Sequence, residues 1–201
     1  MDPYRVVRDL ERAVCEYTGA PYCVTVNSCT MAILLAARWC LDRMPRHTEV
    51  EIPRRTYVSV PMSIMHAGAQ VEFRDEDWQG AYQLKPLPVW DSARRFTSGM
   101  YRAGEMQCVS FHATKILGDT QGGAILHDDL QADAWLRRMR FDGRTEGVTP
   151  KSDYFRELAY HCYLSADVAA RLLLRLHSLP KHNADLPNDE YPDLSTIELF
   201  R

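Results

Sequence analysis

The sequence predicts an α/β domain built on a mainly parallel sheet with helices on both faces. Three observations lead there. Short apolar runs of strand length alternate with longer segments whose apolar residues recur at helical spacing, the pattern of strand–helix–strand units. One helical segment, from Ser28 onward, is apolar nearly all round (Ala32, Ile33, Leu34, Leu35, Ala36, Trp39, Cys40) and so belongs inside the domain. Finally, 201 residues with 46% hydrophobic and 25% charged side chains are enough for one domain with a sizeable core.

The elements follow in order. Asp2-Pro3 is a helix start, a capping residue before a proline at the first helical position. Val6, Val7, Leu10, Ala13, Val14 and Tyr17 then share one face, and Gly19 is the stop. Residues 22–26 read as a buried strand feeding the apolar helix. Residues 49–52 form a second strand, ended by Pro53, and 58–67 a helix with Pro61 near its first turn and Gly68 as its stop. Short strands follow at 71–73, 88–90, 107–111 and 124–126, then a helix over about 130–141. The last helix spans about 165–179, with Val168, Leu172 and Leu176 on one face. Beyond Pro180 the chain turns polar and proline-rich, with Pro187 and Pro192. The expected organisation is a domain over 1–180 and an extended arm over 181–201, which packs on a partner or frays.

Composition excludes several classes. A net charge of −3 offers no basic surface for nucleic acid or anionic lipid. The longest apolar stretch, near residues 31–39, is too short to span a bilayer, and Met1-Asp2-Pro3-Tyr4 lacks the pattern of a secretion signal. The six cysteines show no paired metal spacing and read as reduced thiols, so a cytoplasmic location and no metal are expected.

The chemistry gathers at strand ends, where a parallel sheet collects its ligands. The run Ser110-Phe111-His112-Ala113-Thr114-Lys115, followed by Gly118 and Gly122-Gly123, places a serine and a lysine in a glycine-bearing loop between two strands. A lysine so held can be neutral, and a neutral amine attacks a carbonyl to form a Schiff base; the plainer alternative is a solvated loop charge. Asn27-Ser28-Cys29-Thr30 joins a strand to the buried helix and is either an anion site with the Thr30 hydroxyl as a further donor, or simply a cap by Ser28. Tyr57 follows the strand ending at Pro53 and either lies against an aromatic ligand or is half buried in the core. Asp91 ends the strand Leu87-Pro88-Val89-Trp90, as a partner for a protonated ring nitrogen or as a turn cap. An anion site, a flat ring, a carboxylate and a lysine are together what pyridoxal phosphate requires.

With these residues in view, the chain resembles the DegT/DnrJ/EryC1/StrS family of sugar aminotransferases. The resemblance runs from about residue 10 to 179 through Glu16-Tyr17-Thr18-Gly19-Ala20, Val26-Asn27-Ser28-Cys29-Thr30, Pro53 with Thr56-Tyr57-Val58-Ser59, Asp91-Ser92-Ala93, and the 110–115 run with Gly122-Gly123. It implies the large domain of a fold type I pyridoxal-phosphate transferase, in reduced form. It also implies catalytic roles for Lys115, in Schiff-base formation and proton shuttling, and for Asp91, at the ring nitrogen. Tyr57 would stack on the ring; Cys29 (backbone), Thr30 and Ser110 would bind the phosphate. Lysine at position 115, where dehydrating relatives tend to carry histidine, implies amino transfer.

Two positions depart from the family pattern. Arg94 stands where a glutamine is usual, and would meet the cofactor's phenolate or a substrate carboxylate. His161-Cys162-Tyr163-Leu164-Ser165 stands in place of an Asn-Tyr-Arg-like run, making His161 a candidate contact to the cofactor of a neighbouring subunit. The resemblance implies a homodimer with active sites at its interface, an amino-acid donor such as L-glutamate and a nucleotide-linked keto-sugar acceptor. Alternatives are other pyridoxal-phosphate chemistry (a decarboxylase, racemase or lyase) and a non-catalytic assembly subunit of the same fold. The short 73–91 interval and the missing small domain resemble compact versions encoded by viruses, and imply that a neighbouring subunit encloses the substrate.

Overall fold

Seven strands and five helices form among the described residues of the computed structural model, which are 2, 4–45, 48–188 and 190–200. Helix α1 (Arg5–Thr18) ends at Gly19, whose φ of 81° lets its N–H close onto the Cys15 carbonyl. The Asp2 carboxylate accepts from the Tyr4 N–H at 3.0 Å just before α1, while the expected Pro3 lies outside the described residues. Strand β1 (Tyr22–Val26) leads into α2 (Cys29–Leu41), where Ala32–Ala37, Trp39 and Cys40 are buried, as an all-round apolar helix requires. Then come β2 (Glu49–Pro53), α3 (Ser59–His66) and β3 (Gln70–Arg74). The rest is β4 (Tyr82–Leu84), β5 (Val89–Asp91), β6 (Met106–Ser110), β7 (Gly123–His127), α4 (Leu130–Met139) and α5 (Ala166–His177). Only β4 lacks a counterpart in the sequence reading, because three residues are too few for an alternation to register.

Five strands pair in the order β1-β7-β6-β5-β4, and β2 pairs with β3 alongside. A bridge joins the two: Glu51 and Lys85 exchange backbone hydrogen bonds of 2.8 and 3.1 Å in antiparallel sense. β5 and β6 are parallel, as are β2 and β3, whereas β7 is antiparallel to both neighbours and β4 to β5. Tracing these senses through the bridge, β1, β2, β3, β5 and β6 all run one way, with β4 and β7 reversed. The sheet is therefore mainly parallel in direction, although the reversed strands make its ladders mixed.

Alternating residues supply two cores. Val24, Cys108 and Ile125 face a layer with α2, α3 and α4; Cys23, Val109, Ala124 and Leu126 face the other with α1 and α5. A buried ionic knot ties the layers. Glu11 of α1 receives Arg137 Nη1 (2.7 Å), the Arg140 guanidinium, and the Thr25 N–H (2.9 Å) and hydroxyl (2.8 Å). Glu11 and Arg140 are both almost wholly buried. The Arg140 carbonyl accepts from Cys162 N–H, whose own carbonyl accepts from Asn27 N–H at 2.7 Å, fixing the end of β1.

The segment after Leu179 does not leave the body of the protein. Tyr17 donates to the Pro180 carbonyl (2.5 Å), and Leu194 and Phe200 are buried against the same chain. The expected arm thus lies along its own domain.

Burial would raise the Glu11 carboxyl, but Arg140, Arg137 and the Thr25 N–H outweigh it and hold it down at about 2. A depressed carboxylate stabilises the fold above its ordinary value near 4.5, and that contribution is lost as pH falls through about 2. Glu11→Gln should cost about 2–3 kcal/mol in urea unfolding at neutral pH, since it removes the buried carboxylate that Arg137 and Arg140 share and leaves them only Asp133 and Glu146. The variant should also lose less additional stability than the wild type between pH 4.5 and 2. Equal acid slopes would contradict this.

Candidate active site

Because β1, β2, β5 and β6 share a direction, the residues that follow them emerge at one edge, and reversed β7 begins there. They enclose a cavity of about 310 Å³ lined by Cys29, Thr30, Tyr57, Asp91, Arg94, Ser110 and Lys115. Seven of the eight residues singled out from sequence therefore meet in one place. The eighth, His161, does not line this cavity. It is exposed and pairs with Asp142, Nδ1 to Oδ2 at 2.8 Å, beside the ring of Tyr163.

The anion-binding turn and the cap are both present. Ser28 Oγ accepts from the Met31 N–H at 3.2 Å and caps α2. The Cys29 and Thr30 N–H groups still belong to a helix first turn, which has no intrahelical acceptors. Thr30 Oγ1 lies 2.8 Å from Ser59 Oγ, grouping two hydroxyls at the positive end of the helix. Gly123 makes this packing possible: a Cβ there would come 2.6 Å from Cys29 N.

The lysine loop is closed on itself. Phe111 N–H donates to the Gly122 carbonyl (2.9 Å), Asp119 N–H to the Phe111 carbonyl (2.8 Å) and Lys115 N–H to the His112 carbonyl (2.8 Å). A Cβ on Gly118 would lie within 2.9 Å of the carbonyl oxygens of His112, Ala113 and Lys115, so the loop wraps around a residue with no side chain. Arg171 holds the loop from α5, reaching Asp119 at 2.8 Å and pulling that carboxyl well below the usual range.

Asp91 is 5% exposed. Its Oδ2 accepts from the Tyr82 hydroxyl (2.9 Å) and its Oδ1 from the Ala93 N–H (3.0 Å), so the turn cap and the pocket carboxylate are one residue. Burial raises its pKa, opposed by the Ala93 N–H, the Tyr82 hydroxyl, Lys115 and Arg94. Tyr82 is in turn fixed by Thr56 Oγ1 at 2.5 Å. Tyr57 lines the cavity and is 57% exposed, so it is not in the core. Arg94 lies within the pocket wall, and its Nη2 donates to the Tyr191 hydroxyl at 3.0 Å.

Three contributors escaped the sequence reading. Tyr82 had a weak signal, an apolar–polar–apolar alternation over only three residues, Tyr82-Gln83-Leu84. Trp78 and Tyr191 had none, because each reaches the cavity only through the tertiary fold.

The pocket thus brings together the start of a helix with two hydroxyls, a buried carboxylate and a lysine. Pyridoxal 5′-phosphate fits these residues. Its phosphate matches the start of α2 with Thr30 and Ser110, its ring nitrogen the buried Asp91, and its aldehyde Lys115. A family model for the DegT/DnrJ/EryC1/StrS aminotransferases matches residues 1–100 and 97–186. The chain belongs to the DegT/DnrJ/EryC1/StrS aminotransferase family.

Among curated proteins it is 24% identical to a UDP-4-amino-4,6-dideoxy-N-acetyl-beta-L-altrosamine transaminase of Campylobacter jejuni, over 96% of this chain and 64% of the relative. Among solved structures it superposes on a sugar aminotransferase of Streptococcus pneumoniae (TM-score 0.72, 19% identity, 88% of this chain and 59% of that one). A sugar aminotransferase of Micromonospora echinospora gives a TM-score of 0.71 at 20% identity, over 88% and 62% of the two chains. The chain thus spans about three-fifths of the length of the proteins it matches.

Tyr82→Phe removes a hydrogen bond to the Asp91 carboxylate and favours its neutral form. Pyridoxal phosphate should then bind about tenfold more weakly, the lower end of what a hydrogen bond to a charged group contributes. An absorbance titration measures this, and unchanged affinity would show that Tyr82 does not act through Asp91.

Proposed function

We propose that the chain is a pyridoxal-phosphate-dependent aminotransferase. It moves an amino group from an amino acid, L-glutamate being the first donor to test, to the keto group of a nucleotide-linked sugar. The observation that supports it most is the convergence of Lys115 and buried Asp91 in one cavity at the start of α2. When bound, the cofactor supplies an electron sink for the bonds at the donor's Cα.

The chain's residues do the rest. The Cys29 N–H, with the Thr30 and Ser110 hydroxyls, holds the phosphate at the positive helix end. Asp91, aligned by Tyr82 and Ala93, keeps a proton on the ring nitrogen by offering charge where water is excluded. Lys115 would take the proton from the donor's Cα and, as its conjugate acid, give it back across a 1,3-shift on the cofactor side, as a tethered general base and acid. Tyr57 covers the ring face from the rim.

A homodimer with shared sites goes with this reading. Exposed Tyr154, Phe155 and Leu158 lie on the loop before His161, an apolar surface suited to a second copy, and His161 would reach that copy's cofactor. A cytoplasmic setting, the host's if the gene is viral, completes the proposal.

The test is a single half-reaction. Protein loaded with pyridoxal phosphate and given L-glutamate should yield pyridoxamine phosphate and 2-oxoglutarate in equal amounts. Lys115→Ala should slow the step by about 10²–10⁴-fold. Recovery of the aldehyde form with no keto acid would instead indicate decarboxylase, racemase or lyase chemistry, and no turnover with any amino acid an assembly role.

A further inference from the structure

A wall of the cavity is built by residues far along the chain. The segment 181–200 is tied down on both sides of Tyr191. Before it, Ser98 N–H donates to the Lys181 carbonyl (2.9 Å), Arg95 grips Asp185 through Nε (2.9 Å) and Nη2 (2.7 Å), and Leu186 N–H donates to the Arg94 carbonyl (2.9 Å). After it, Leu194 N–H donates to the Arg54 carbonyl (2.9 Å), and Phe200 meets Phe73 edge-on with ring centres 6.2 Å apart.

Between these anchorages Tyr191 lines the cavity beside Trp78. Their rings are 14° from parallel with centres 6.3 Å apart, and Trp78 Nε1 is fixed on the Arg55 carbonyl at 2.9 Å. Arg94 lines the cavity beside Tyr191. Its Nη2 donates to the Tyr191 hydroxyl at 3.0 Å and its Nη1 to the Pro187 carbonyl.

At about 310 Å³ the cavity sits at the low end of small-molecule sites, roughly 300–1,000 Å³. A cofactor held at Lys115 and Asp91 as proposed would leave the side lined by Trp78 and Tyr191 for a second substrate. That wall is aromatic, and aromatic faces pack against the C–H face of a saturated ring.

We infer that residues 181–188 and 190–200 carry the acceptor-facing wall within the same chain, with Tyr191 as a specificity-determining residue for the acceptor's sugar ring and Arg94 as the positioning residue bonded to its hydroxyl. The identity of the acceptor rests on the transaminase reading; the wall rests on the contacts above.

The experiment compares wild type, Tyr191→Phe and Tyr191→Ala. Amide hydrogen exchange on cofactor-free protein comes first. Both variants should speed exchange over residues 92–98 and 185–195 while leaving β6 protected; unchanged rates overturn the wall. With pyridoxal phosphate bound, hydroxylamine should strip the cofactor several-fold faster from Tyr191→Ala. With a UDP-linked 4-keto-hexose as acceptor, Tyr191→Ala should raise KM about tenfold, with the change falling on KM more than on kcat, whereas pyruvate as acceptor shows no such rise. Tyr191→Phe keeps the ring and should stay within about twofold of wild type on the sugar KM; if the alanine variant fails to fold, Tyr191→Leu, which keeps bulk but no aromatic face, should show the same selective rise in the sugar KM, and its absence overturns the specificity role. Equal KM changes for both acceptors overturn the specificity role. A wild type that shows no visible band with pyridoxal phosphate defeats the proposed function instead, and the exchange result still decides the wall.

Discussion

A carboxylate buried beneath a cavity must either lose its charge or be given a positive partner, and Asp91 imposes that choice on this site. Burial pushes its pKa up; the Ala93 N–H, the Tyr82 hydroxyl, Lys115 and Arg94 push it back. Burial outweighs them, so the carboxyl stays above its ordinary value, and a cationic partner would favour its charged form. Strand β4 is needed to carry Tyr82, β5 to carry Asp91, and Thr56 to orient the phenol. The neighbouring Cys29 and Cys108 thiols, raised by burial and by Asp91 itself, stay neutral and add no competing negative charge.

The end of the site at the start of α2 depends on a second buried charge system. Glu11, Arg137, Arg140 and Thr25 join α1, β1 and α4, and the Arg140 carbonyl passes the restraint through Cys162 to Asn27. Asn27 and Ser28 open the turn into α2. Breaking such a knot leaves uncompensated charge in a low-dielectric interior, so its geometry is strongly preferred once formed. Gly123 then sets how closely β7 can approach the same turn.

What was legible in the sequence is what is local. Lys115, Ser110, Asp91 and Thr30 each lie at a junction between an apolar run and a turn, and a shared strand direction brings such junctions to one edge. Asn27-Ser28-Cys29-Thr30 allowed two readings because one turn does both jobs. β4 escaped because its three residues show too little pattern, and with it went Tyr82. The aromatic wall escaped for a different reason: Arg94 and Tyr191 are 97 positions apart, and no spacing rule connects them. The prolines and polar residues of the tail suggest an arm, yet Leu194, set between Asp193 and Ser195, and Phe200 are buried apolar anchors that hold it down. For His161, position within a motif gave no information about its distance from the cavity.

The central claim is that Lys115 carries the cofactor. Protein incubated with pyridoxal phosphate, reduced with sodium borohydride and digested can be mapped by peptide mass spectrometry, because reduction makes a Schiff base permanent. The structure predicts a single pyridoxyl adduct on Lys115, absent from Lys115→Ala. An adduct spread over surface lysines, or none on Lys115, would contradict it.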